Sequence, residues 1–364
     1  MAIPFVYNIR NVVQRPVATI TTAIGIGLTV AVLLAALALA EGFRSTLRSA
    51  GSPERAIVLS SGADSEVMSG FALSAGDILR ASPFIARGPD GRPQATLEMV
   101  ATTNLARIGQ RGTSNIRVRG VDLATIGVRA TPTTVEGRMF RSGTDEIVVG
   151  RSIATRFEHC RVGDELKVQR RMLKVVGLLA TGGSSYESEV WGDMNVLAPL
   201  FHREGGYAVA LVRMKDPARF AEFKREIEQD PRLGVSVKRE DLFYAEQSQG
   251  VTVMVMVLGG FITIIMAAGA LFGVANTMFA VVSGRTREIA TLLVLGCLLA
   301  LPINGITTST TNFQSFSEVA FHFRVTPLLM LVALVFSAVL GLLGGFFPAL
   351  RAARHPIART LRGG

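Results

Sequence analysis

Twenty-four consecutive residues, Val17 to Ala40, carry no charge, and neither do the thirty-two from Val251 to Val282. No other feature restricts the fold as strongly. A hydrocarbon core about 30 Å thick is crossed by roughly 20 apolar residues in a helix, so the first run is long enough to span. The second would extend ~48 Å as one helix, so it either tilts or begins above the bilayer as a stalk. Gly259, Gly260, Gly269 and Gly273 give it small surfaces for helix contact. A third run, Val325 to Leu350, has Pro327 near its start and Pro348 near its end, so both spare its interior. The chain reads as a multi-pass α-helical membrane protein.

Between the first two runs lies a polar block, Glu41 to Gln249. Alternating or β-rich stretches occur at 55–59, 115–121, 145–150, 164–168, 172–180, 207–214 and 235–238. Two helices are also readable. One runs from Ser74 to Arg80 and opens with S-x-x-D, a capping-box variant. The other has Asp216 as N-cap and Pro217 at N1, with Phe220, Phe223 and Ile227 on one face. Strand and helix signals mixed in this way describe an inserted α+β domain, with room for two lobes. The segments are therefore an amphipathic N-terminal helix (1–16), a first span (17–40), an extracytoplasmic α+β domain (41–249) and a C-terminal part (250–364). The last divides into a span (251–282), a short apolar segment (289–303), an outer loop (304–324), a span (325–350) and a basic tail (351–364).

The formal charge of +10 raises the question of nucleic acid. The arginines instead flank apolar runs, as cytoplasmic flanks of membrane proteins do. No aromatic-plus-basic platform or zinc-finger spacing appears, so no nucleic-acid partner is expected. Cys160 lies in the polar block and Cys297 in an apolar one, so no intrachain disulfide is expected and core packing must supply stability.

Three patches are basic: Arg10 with Arg15, Arg285 with Arg287, and the tail with Arg351, Arg354, Arg359 and Arg362. Placing all three in the cytoplasm satisfies the positive-inside rule and leaves the large domain outside. Parity then demands one more crossing between Arg287 and Val325. The only apolar material there is Ile289–Ile303, fifteen residues and ~22 Å of helix. It crosses with local thinning, forms a half-span buried against other helices, or marks a lost piece of chain.

No chemistry announces itself. The string GK[ST] of a P-loop is absent. GGSSYESEVW (182–191) holds Ser184, Ser185, Glu187, Glu189 and the only tryptophan, yet there is no G-x-S-x-G, and His159, His202, His322 and His355 show no spacing that favours a base. That stretch reads as a turn and strand edge at a lobe interface. His159 beside Cys160 lacks metal-ligand spacing, and Met254, Met256 and Met266 suit ordinary packing. No catalytic, cofactor or metal residue is assigned. By charge alone, Arg285, Thr286, Arg287 and Glu288 anchor a helix end at the headgroups. The tail arginines set topology, bind anionic lipid or contact a partner.

Several strings carry a family resemblance: NIRNVVQRP, TVEGRMFRSGTDEIVVGRSIATRF, VGDELKV, KVVGLLATGGSSYESEVWGD, RTREIATL, LALPINGITTSTTNFQSFSEVAF and GGFFPALRAARHPI. With the layout of spans, they make the chain resemble the FtsX-like permeases of the MacB type, the transmembrane subunits of a class of ABC transporters. The resemblance covers nearly the whole chain; RTREI and the terminal P-A-x-x-A-A-R-x-x-P are its most specific parts. It implies a four-span plan in the cell (inner) membrane with both termini cytoplasmic. It implies ATP bound by a separate ATPase subunit, a permease homodimer or paired permease, and a membrane-fusion-type adaptor. It makes Arg285, Thr286, Arg287 and Glu288 the segment that sits on the ATPase, with Arg351, Arg354 and Arg359 as further cytoplasmic contacts. The implied activity is export or extraction of a lipophilic or amphiphilic substrate by mechanotransmission. A second implication is a membrane-tethered module that controls an extracytoplasmic hydrolase or sensor. The departure lies after RTREI: family members continue into a full third span, whereas here TLLVLG runs directly into CLLALP, and Leu293 stands where a basic residue is expected. The third span reads as truncated.

Overall fold

The computed structural model describes residues 16–129, 133–279, 302, 304–312 and 317–354. The expected N-terminal helix, the Arg285–Glu288 segment, the apolar segment 289–303 except Pro302, and the tail beyond Arg354 lie outside these residues. The chain divides into two units. One holds Phe43–Val251 and Thr307–Phe321; the other holds the described residues up to Gly42, from Thr252 to Ile306 and from His322 onward.

The elements follow the hydropathy pattern with informative exceptions. Helix α1 (Pro16–Arg48) contains the first apolar run and extends beyond it. Strands β1 (Arg55–Ser60) and β2 (Phe71–Ala72) lead to helix α2 (Leu73–Ala81). Its N-cap is Ala72, without a side-chain bond, so Ser74 lies inside the first turn and the expected capping box does not form. Next come β3 (Ala95–Ala106), β4 (Thr113–Val121), β5 (Thr133–Gly137), β6 (Glu146–Gly150), β7 (Glu165–Val168), β8 (Arg171–Ala180) and β9 (Glu189–Asp193). Helix α3 (Met194–Leu200), strands β10 (Gly206–Tyr207) and β11 (Val209–Arg213), helix α4 (Phe220–Gln229) and strand β12 (Val235–Arg239) complete the inserted domain. Before α4, Asp216 accepts from the Ala218 amide and Pro217 follows it, the cap read from the sequence. Helix α5 (Glu240–Phe279) starts eleven residues before the second apolar run. Strands β13 (Thr307–Asn312) and β14 (Ser317–His322) occupy the expected outer loop, and helix α6 (Pro327–Arg354) continues past Pro348.

Ten strands form one sheet in the order β12-β1-β11-β3-β4-β9-β6-β8-β5, with β7 on β8. The β4–β9 and β6–β8 pairs are parallel. Strand β3 is the joint. Its residues 95–98 pair with β11, and 99–106 pair with β4. On one face, Ala95 and Leu97 enter a core with Val58, Leu79, Val212, Phe223 and Ile227. On the same face, Met99 and Ala101 enter a second core with Val118, Ile147, Phe157, Val175 and Leu197. These two cores realise the expected lobes. Sequence patterning missed β3 because ATLEMVATTNLA mixes small residues with Glu98, a residue depleted from strands.

In the other unit, Ile26, Val30 and Leu34 of α1 bury against Ala333 of α6, with Leu329 and Ala270 beside them. Gly259 lies so close to α1 that an added Cβ would stand 2.5 Å from the Ala36 Cβ. Thr29 and Thr263 hydroxyls donate to the carbonyls of Gly25 and Gly259, which satisfies them within their own helices. Leu258, Phe261, Ile264, Leu328 and Val335 remain exposed, far more apolar surface than water tolerates in one patch. Two helical stretches, Ile24–Arg48 and Glu240–Leu271, are long and apolar enough to cross a membrane.

Candidate functional site

Strand β4 alternates. Ile116 and Val118 face the second core, so Arg117 and Arg119 project from the opposite face. Charge there costs several kcal/mol per ion unless it is paired, and the domain supplies the partners. Arg119 is fully buried, and all five of its N–H groups are used. Nε donates to Glu189 Oε2 (2.7 Å), Nη1 to Glu66 Oε1 (3.1 Å) and Glu98 Oε2 (2.7 Å), and Nη2 to Glu66 Oε2 and Glu189 Oε1 (both 2.9 Å). Arg117 Nη1 donates to Glu66 Oε2 and Glu189 Oε1, both at 3.0 Å. Arg129 Nε donates to Glu98 Oε1 (2.8 Å), and its Nη1 to the Tyr186 and Tyr244 hydroxyls (2.8 and 3.0 Å). Trp191 Nε1 donates to Glu189 Oε2 at 2.8 Å.

The network reaches the residues that enter and leave the domain. Tyr186 donates to the Ala50 carbonyl at 3.1 Å, while Glu240 accepts from the Ser52 amide at 2.9 Å and from Arg55 Nε. A Cβ at Gly51 would stand 2.8 Å from the Asp241 Cα, so only glycine allows that approach. Burial alone would raise the Glu66 carboxyl; Arg119, Arg129 and Arg117 outweigh it and hold it well below the usual carboxylate range. Glu189 follows the same balance: burial raises it, and Arg119 and Arg117 bring it down. Burial, partly offset by Arg129, pushes the Tyr186 phenol well above its ordinary value. Glu98 sits where β3 passes from β11 to β4, so these charges tie the two lobes at their joint.

The arrangement ties distant stretches of the chain together through paired charges. The Glu66 and Glu189 carboxylates are committed to arginines. Thr181 Oγ1 and Ser184 Oγ share a 2.6 Å hydrogen bond, and Ser185 Oγ is buried without a partner. Among the described residues, no three or more His, Cys, Asp or Glu side chains are placed to hold a metal ion.

The GGSSYESEVW stretch is corrected in one respect. It is not a strand edge: Ser185–Ser188 form a 3₁₀ turn, and β9 lies inside the sheet between β4 and β6. Of the expected coupling residues, Arg285, Thr286, Arg287, Glu288 and Arg359 lie outside the described residues, and Arg351 and Arg354 fall in the last turn of α6. Sequence reasoning missed Arg117, Arg119, Arg129, Glu66, Glu98 and Glu240. The available signal was R-x-R alternating with Ile116 and Val118, a pattern that buries or exposes both arginines together.

Residues 19–230 match the family described as MacB-like periplasmic core domain. An uncharacterized ABC transporter permease of Methanocaldococcus jannaschii is 24% identical over 238 residues, which are 56% of this chain and 58% of that one. The match thus spans under two thirds of that relative's length. Among solved structures, the extracellular domain of the noncanonic ABC-type transporter YknZ from Gram-positive bacteria is 12% identical with a TM-score of 0.37, covering 50% of this chain and 99% of that one. The periplasmic region of MacB from Actinobacillus actinomycetemcomitans is 11% identical with a TM-score of 0.39, covering 54% and 92%.

Proposed function

The chain belongs to the family defined by the MacB-like periplasmic core domain, and from that premise we propose that it is the permease subunit of an ABC transporter. The observation that carries this reading is the matched domain, 19–230, followed directly by a second helix apolar and long enough to cross a membrane. ATP is bound by a separate ATPase subunit. Its closure moves the segment Arg285–Glu288, and the movement passes through α5 to the outer domain. The work done is export or extraction of a lipophilic or amphiphilic substrate by mechanotransmission, with the permease acting as a homodimer or beside a similar permease and a membrane-fusion-type adaptor. The long exposed apolar faces of α5 and α6 support placement in lipid, and the arginines that flank the apolar runs support cytoplasmic termini.

The hairpin β13–β14 supports a crossing within 280–306. It belongs to the same unit as Phe43–Val251. If α5 leaves that unit through the bilayer, the chain must return through it before Thr307. On that topology the return would fall to the apolar run 289–303, which apart from Pro302 lies outside the described residues.

The experiment is co-purification of the full chain with a candidate ATPase, followed by ATPase assay in phospholipid nanodiscs. Stimulation that Arg287→Glu abolishes supports the coupling role. Unchanged complex formation and unchanged stimulation in Arg287→Glu sink it. Association with an extracytoplasmic hydrolase or a sensor instead of an adaptor points to the regulatory reading.

A further inference from the structure

The hairpin β13–β14 is embedded in the domain rather than lying free as the expected outer loop. Residues Ser317 to Phe321 are all buried. Glu318 forms ion pairs with both Arg107 and Arg156. Arg107 follows the last residue of β3, and its Nε donates to Ser114 Oγ of β4 at 2.8 Å, so this carboxylate holds the turn that joins those strands. Both guanidinium groups also lie over Phe157, at 5.6 and 5.4 Å from the ring centroid. Around this contact the Ala320 amide donates to Ser188 Oγ (2.9 Å), Arg117 Nη2 donates to Ser317 Oγ (3.3 Å), and Phe321 meets Phe43 edge-on with centroids 5.4 Å apart.

Two observations separate this contact from ordinary packing. Arg107 and Arg156 are like charges forced together: burial and the neighbouring Arg107 pull the Arg156 guanidinium down to about 10. A carboxylate between them is what makes their convergence favourable, and without it they repel. Four residues, Phe323 to Thr326, then connect the hairpin to α6, too short a tether to absorb much displacement of that helix.

We propose that Glu318, clamped by Arg107 and Arg156, is the positioning residue that harnesses α6 to the extracytoplasmic domain, so that displacement of α6 is delivered to the turn between β3 and β4. The inference rests on the permease reading above, and its test separates the two. Hydrogen exchange is followed by mass spectrometry on the full chain with its co-purified ATPase in nanodiscs, with and without a non-hydrolysable ATP analogue. In the wild type, nucleotide changes exchange in α6 and in residues 99–119. In Glu318→Ala, exchange in 307–322 rises by about tenfold as that segment opens locally. The α6 response then persists and the 99–119 response is lost. Arg107→Ala/Arg156→Ala behaves the same way. Exchange in β1 and β12 is the internal control for folding, and Glu318→Gln, which keeps the shape and removes the charge, replaces Glu318→Ala if that control moves. A 99–119 response that survives in both Glu318 variants overturns the inference and leaves the permease reading standing. So does a wild type in which α6 responds and 99–119 does not. A wild type in which neither region responds overturns both.

Discussion

Replacing Arg119 by methionine removes the centre of the buried network while keeping the side chain's approximate length. The wild-type residue donates five hydrogen bonds to three carboxylates and has no solvent contact. Its loss leaves Glu66, Glu98 and Glu189 to share Arg117 and Arg129, and the described cluster passes from four arginines facing four glutamates to a deficit of one positive charge. Breaking a buried ion pair by deleting one partner costs about 3–5 kcal/mol. The excess carboxylate softens that by taking up a proton, at the cost of a raised carboxyl pKa. The comparison is Arg219→Ala, whose partner Glu222 is over half exposed, as is Arg219 itself. Such surface pairs contribute about 0.2–1 kcal/mol.

The assay is urea unfolding of the full chain in detergent, followed by tryptophan fluorescence. Trp191 is the only tryptophan, and its indole donates to Glu189 inside the network, so the signal reports on the perturbed site. With an m-value of about 1–3 kcal/mol per molar urea, Arg119→Met lowers the midpoint by about 1 M or more. A shift no larger than that of Arg219→Ala would refute the claim that these charges hold the lobes together.

The acid dependence follows from the same groups. Glu66 and Glu189 have folded pKa values below their unfolded ones, so their contribution is complete above the unfolded value of about 4.3 and is lost as pH falls below it. The urea midpoint should therefore show no pH dependence from these two groups between pH 7 and 5, where their contribution is full, and then drop; a fall already complete by pH 5.5 contradicts the assignment. Labelling tests the topology. Cys160 is fully buried and its thiol is pushed up to about 12 by burial and Asp164, so it should stay unreactive toward maleimide until the domain unfolds. In a Cys297→Ala background, a membrane-impermeant maleimide added to intact cells should reach Met172→Cys, which is 49% exposed, and not Gly364→Cys; labelling of both in intact cells is the adverse result.

The elements whose side chains are segregated by polarity were legible. Two of the charge-free runs begin within two residues of the helices that contain them, Val17 in α1 and Val325 beside α6, because a helix satisfies the backbone groups of a long apolar run from within the run itself. Asp216 and Pro217 marked α4 because their cap is local chemistry. What stayed hidden depends on partners distant in sequence. Glu98 hid β3 until Arg119 and Arg129 were beside it, and Glu189 hid β9 in the same way. The Thr-rich outer loop looked solvated because TTSTTN carries no apolar stripe; its sister strand SEVAFH is the half that buries, with Glu318 made tolerable by arginines more than 150 residues earlier. A buried charge whose neutraliser lies far along the chain is invisible to any local window.

The two departures from sequence expectation point to one constraint. The network binds Ala50 and Ser52, just past the end of α1, to Glu240, the first residue of α5, so the outer domain closes on its own entry and exit. The hairpin brings a third stretch of chain into that same unit. Three helical segments, α1, α5 and α6, therefore join the domain through short, tightly bonded connections. Within the domain the sheet changes partner at residue 98 of β3, where Glu98 faces Arg119 and Arg129, so those charges sit where the two cores meet. Deleting Arg119 removes the charge balance at that joint, which is why Arg119→Met is expected to cost about 3–5 kcal/mol where a surface pair contributes about 0.2–1 kcal/mol.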